Sequence, residues 1–65
     1  METNRLYAII YKDEDGNIKT VNKENGSIDL YLRWQTCYDI TQSLIKETGL
    51  VHEIVPIELP RNLFD

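Results

Sequence analysis

The chain predicts an α+β domain, a small and mainly antiparallel sheet in the order β-β-β-α-β with one helix packed on one face. Three observations carry this. A run rich in tyrosine and isoleucine at residues 5–12 meets an Asp-Gly turn, one later stretch has helical spacing and ends at a glycine, and a closing apolar run is interrupted by a proline.

The first element, RLYAIIYK at residues 5–12, has apolar groups on both alternating faces, the pattern of a strand covered on both sides and therefore central. Asp13-Glu14-Asp15-Gly16-Asn17 follows. Asp-Gly between strand-like runs is a hairpin signal, because glycine adopts positive φ without a Cβ clash. The second strand is expected over residues 17–22, antiparallel to the first. Lys23-Glu24-Asn25-Gly26 makes a further turn and leads into SIDLYLRW at residues 27–34, where Ile28, Leu30, Leu32 and Trp34 alternate with Asp29, Tyr31 and Arg33. Period two reads as a third strand; a helix starting at Ser27, a good N-cap residue, is the competing reading.

Thr36-Cys37-Tyr38-Asp39 matches a capping box and is expected to open the helix. Cys37, Ile40, Thr41, Leu44, Ile45 and Thr48 then share one stripe, and Gly49 is placed to stop the helix in the left-handed conformation. Residues 50–59 (LVHEIVPIEL) read as the last strand. Pro56 has no amide to give a central ladder, so this strand belongs at an edge. Leu63 and Phe64, in the tail after Pro60, are apolar enough to pack on the sheet or on a neighbour. All 65 residues form one domain, with residues 1–4 and 60–65 as tails.

Composition bounds the function. A domain this small hides only about 60% of the surface its unfolded chain exposes, so a lone copy holds a few kcal/mol at most and gains from a disulfide, a metal or self-association. The single cysteine, Cys37, excludes an internal disulfide, and one cysteine with one distant histidine, His52, supplies no metal-ligand spacing. A homodimer remains as the expected supplement, with no metal and no cofactor. Seven bases against eleven acids give a net charge of −4, which disfavours nucleic acid and anionic membranes as partners. No signal peptide or membrane span is evident, so the chain reads as soluble and cytoplasmic.

If Leu6, Ala8 and Ile10 face the helix, the opposite face shows Tyr7, Ile9 and Tyr11, joined by Asp29, Tyr31 and Arg33 from the third strand. Tyrosine and arginine are enriched at interaction hot spots. This face is the expected interaction surface, with Leu63 and Phe64 as additional contacts. Tyrosine also has high strand propensity and tolerates half-exposure, so an ordinary solvated face is the competing explanation. Aromatics on a sheet can also stack on the bases of single-stranded nucleic acid. A third use of the surface is electrostatic: Asp13, Glu14, Asp15 and Asp29 could mimic a polyanion and inhibit a nucleic-acid-binding protein, although Asp-Glu-Asp-Gly is also ordinary turn chemistry. Cys37 reads as a small core residue, with a reactive thiol as the alternative. His52, without a nucleophile or second carboxylate placed beside it, reads as a surface or satisfied residue. No enzymatic constellation or phosphate-binding loop is present, so an enzyme is not expected.

The charged hairpin ending in Asp-Gly, the single helix and the closing Glu-Thr-Gly-Leu-Val-His-Glu-Ile-Val segment resemble, in size and element order, small uncharacterised proteins of phages and prophages of Gram-positive bacteria. The resemblance spans residues 5–58. It implies a small accessory protein that binds or inhibits a host protein.

Overall fold

A computed structural model describes residues 5–59 of the chain. The order is β1 (Arg5–Lys12), β2 (Ile18–Thr20), β3 (Leu30–Tyr31), α1 (Trp34–Thr48) and β4 (His52–Glu58), an α+β fold with one helix against a four-stranded antiparallel sheet.

Strand β1 is central, as its two apolar faces predict. Along one edge it pairs with the whole of β4, from Arg5 opposite Glu58 to Tyr11 opposite His52. Its other edge is shared end to end, by β2 at Ile10–Lys12 and by β3 at Tyr7–Ala8. Backbone hydrogen bonds show how the edges are divided. Asp13 donates to Asn17 and Val21 donates to Ile9 on the β2 side, whereas Lys12 donates to Val51 on the β4 side. Odd-numbered residues of β1 therefore bond towards β2, and even-numbered ones bond towards β4.

Both turns form where expected. Gly16 (φ 87°) closes the first, and the Asp13 side chain accepts from the amides of Asp15 and Asn17 at 3.0 and 2.8 Å. Around Gly26 (φ 92°) the chain swings away from β1, held by an isolated bridge between Asn22 and Ile28. Residues 27–34 are thus a strand only at Leu30–Tyr31, and the second strand is three residues rather than six. The physical reason is competition for one place: Val21 donates to the Ile9 carbonyl while Asp29 donates to the Val21 carbonyl, so the segment between them must leave the ladder.

The helix begins two residues before the predicted capping box. Arg33, in extended conformation, is the N-cap and makes no side-chain cap bond, while its carbonyl accepts from the Cys37 amide at 3.2 Å. Asp39 accepts from Gln35 Nε2 at 3.0 Å. Gly49 ends the helix with φ 73°, its amide donating to Ile45, as the sequence predicts.

The side of the sheet that α1 covers is the reverse of the expected one. Tyr11 and His52 share a groove with Leu44 and Thr48 of α1, and Ile9 is fully buried. Strand alternation then places Tyr7, Ile9, Tyr11, His52, Ile54 and Pro56 under the helix and Leu6, Ala8 and Ile10 on the open side. The buried helix residues, Cys37 and Thr41, are small, so the space under them suits the larger side chains of β1. Ala8, on the side away from the helix, is also buried.

Candidate functional site

The sequence-predicted interaction residues divide among several environments. Tyr7, Ile9 and Tyr11 lie beneath α1. Tyr31 joins them from β3, opposite Tyr7, and its hydroxyl donates to Asp29 Oδ2 at 2.8 Å. Burial first, and the Asp29 carboxylate second, push the Tyr31 phenol up to about 12. The expected tyrosine-bearing face is therefore corrected from the side opposite the helix to the helix side, where Ile9 is buried and the three tyrosines are half-buried. Arg33 is exposed at the N-cap of α1, outside β3. Leu63 and Phe64 lie outside the described residues.

The four acids also separate. Asp13 is bound into its own turn: the Asn17 amide foremost, helped by Lys19 at 3.3 Å and the Asp15 amide, holds its carboxyl below the usual value against a contrary effect of burial. Glu14 and Asp15 are exposed at the hairpin tip, while half-buried Asp29 is turned to Tyr31. One continuous acidic surface containing all four is not formed.

Cys37 is fully buried, and burial raises its thiol above the ordinary value. Thr41 Oγ1 donates to the Cys37 carbonyl at 2.8 Å, so the polar member of the helix stripe is satisfied. Trp34 and Tyr38 stack at 4.9 Å one helical turn apart on the outside of α1. Among the described residues no three His, Cys, Asp or Glu side chains gather as a metal set, and no helix is long and apolar enough to cross a membrane.

Two features emerge that sequence reasoning missed. The first is the open side of the sheet. Leu6 and Ile10 from β1, Leu30 from β3, Val55 and Ile57 from β4, and Ile18 from β2 share one side by strand alternation. Val51, which follows the same alternation just before β4, is 67% exposed and Ile18 is 64% exposed. Lys12 and Glu53 are the only charged side chains the strands place there, so this side is apolar and nearly neutral on a chain of net charge −4.

The second is a groove of about 440 Å³ between the end of α1 and the sheet. Tyr11 and His52 are directly opposed, in a non-hydrogen-bonded pair that brings side chains close. Their rings stack at 5.2 Å with 20° between planes. His52 is only 8% exposed, and its Nδ1 lies 2.9 Å from the Leu50 carbonyl.

Comparison with protein-family models, with curated proteins and with solved structures finds no match to this chain.

Proposed function

We propose that the chain is a non-enzymatic protein-interaction module that pairs with a second copy of itself through the open side of the sheet and presents the rest of its surface to a protein partner. The observation that supports it is a row of aliphatic side chains on one side of the sheet, with Ile18 and Val51 exposed and Ile10 and Val55 half-buried between them. An apolar patch on a small protein marks a surface that gains from being covered. A second copy is the occupant that fits best, because among the described residues the strands place one acid there, Glu53, together with one base, Lys12, and the other acids of the strands and turns lie elsewhere. Asp13–Asp15 stand at a hairpin tip, Asp29 is turned to Tyr31, and Glu58 pairs with Arg5 at 2.6 Å.

The size of the core supports the same reading. Ala8, Ile9 and Cys37 are the only buried apolar side chains among the described residues. So small a core favours an oligomer as the stable unit. The resemblance to small phage and prophage proteins adds a candidate role, that of an accessory protein whose partner belongs to the host. Base stacking on the sheet tyrosines is less well supported, since Tyr7, Tyr11 and Tyr31 lie on the helix side.

Sedimentation velocity across the micromolar range tests the reading. The native chain is expected to sediment as a dimer and the variant Ile18→Glu/Val51→Glu as a folded monomer, with unchanged circular dichroism. Both positions are mostly solvent-exposed, so the added carboxylates alter the surface and spare the core. A native monomer over the whole range, or a variant that still dimerises, overturns it.

A further inference from the structure

The groove beside Tyr11 lies on the helix-covered side of the sheet, and its chemistry is independent of self-association. The Leu50 carbonyl can only accept, so the 2.9 Å contact requires a proton on His52 Nδ1, and in the neutral imidazole the lone pair is then on Nε2. Among the described residues no group bonds Nε2, yet no enclosed side-chain nitrogen or oxygen lacks a partner. Nε2 therefore touches open space, and the space that His52 lines is the groove. A side chain more than nine-tenths buried thus directs one unfilled hydrogen-bond acceptor into a cleft.

The walls define what fits. Val21, Leu44 and Leu50 are apolar, Thr20 Oγ1 and the Asn22 amide bond each other at 2.7 Å, Thr48 Oγ1 is occupied by the Leu44 carbonyl and the Leu50 amide, and no lining residue carries a fixed charge. A charged ligand would lose hydration with no countercharge to replace it. An uncharged, flat, mainly apolar molecule loses little, and a single N–H or O–H at its edge satisfies Nε2. The volume lies within the range of small-molecule sites.

We propose that this groove binds an uncharged aromatic ring bearing one edge donor, of the indole or phenol class, with His52 Nε2 accepting the hydrogen bond. Two sources present that chemistry, a free aromatic small molecule and a tryptophan or tyrosine side chain of a protein partner.

The chain has one histidine, so its imidazole nitrogen resonances report this site alone. Full-length ¹⁵N-labelled protein is titrated with indole, with 1-methylindole, which lacks the donor, and with N-acetyl-tryptophanamide. The free protein is expected to carry its imidazole proton on Nδ1. Indole is expected to shift Nε2 saturably with a dissociation constant in about the millimolar range, as suits so small a ligand. Loss of the donor in 1-methylindole should weaken binding by about fivefold, the scale of one net hydrogen bond. His52→Phe, which keeps a ring against Tyr11, should abolish the preference for indole over 1-methylindole. Binding of N-acetyl-tryptophanamide at least as tight as that of indole identifies a protein side chain as the source, and binding of indole alone identifies a free small molecule. No saturable shift up to about 10 mM of either donor-bearing probe, equal affinity for indole and 1-methylindole, or a proton on Nε2 in the free protein overturns the proposal.

Discussion

The Tyr31 phenol is held up to about 12 by burial and by the bond it donates to Asp29, so one of the chain's four tyrosines is expected to ionise well after an ordinary one. The sign follows from which state holds the proton more tightly. The folded value is raised above the unfolded value of 10.0, so the stabilisation is complete below pH 10 and disappears as pH rises towards 12. A phenolate absorbance titration should show this late step, and Tyr31→Phe should remove it. That variant also leaves the half-buried Asp29 without its donor, which should cost about 1 kcal/mol in chemical denaturation. Asp13 behaves in the opposite sense: its lowered carboxyl contributes above the unfolded value of 3.8, and the contribution fades as pH falls through the folded value. Asp13→Asn should flatten that acid limb in thermal melts recorded against pH. At Ile9 the effect is simple deletion of core. Ile9→Ala should cost about 2–5 kcal/mol, enough to unfold a domain with so few buried apolar side chains, as loss of near-ultraviolet dichroism would show.

At the level of elements, what could be read in advance was local. Asp-Gly, the helical stripe before Gly49 and the placement of Pro56 each follow from a few adjacent residues, and each forms as expected. The lost parts depend on distant pairing. Both alternating sets of β1, Leu6-Ala8-Ile10 and Tyr7-Ile9-Tyr11, are apolar, so the pattern alone gives no reason to prefer either as the helix-facing set. The choice is made by the small Cys37 and Thr41 of α1 and by the pairing with β4. The Tyr11–His52 groove was unreadable for the same cause, since those residues are neighbours only through that pairing. Pro56 illustrates what register adds. It stands opposite Tyr7, an odd-numbered residue of β1, so its missing amide falls on the outer edge of β4 and removes no ladder bond. Pro56→Ala should therefore leave the fold's stability nearly unchanged while restoring a donor to an exposed edge. More aggregation on concentration, followed by light scattering, is the expected outcome.

For the molecule as a whole, a core this small makes stability a property of assembly as well as of sequence. If copies pair through the open side of the sheet, the melting temperature should rise with protein concentration by mass action, and the Ile18→Glu/Val51→Glu variant should lose that dependence. Differential scanning calorimetry over a hundredfold range of concentration makes the comparison.

The division of one edge of β1 between β2 and β3 has a consequence for how much of the chain is required. Partner numbers sum to 30 along β2 and to 38 along β3, so eight residues have been spliced into what is otherwise one uninterrupted edge strand. Excising residues 22–29 would join Val21 to Leu30 with each side chain already pointing to its proper side. The excursion is, in effect, a natural graft site, where sequence can be removed or foreign peptide displayed without disturbing the ladder on either side.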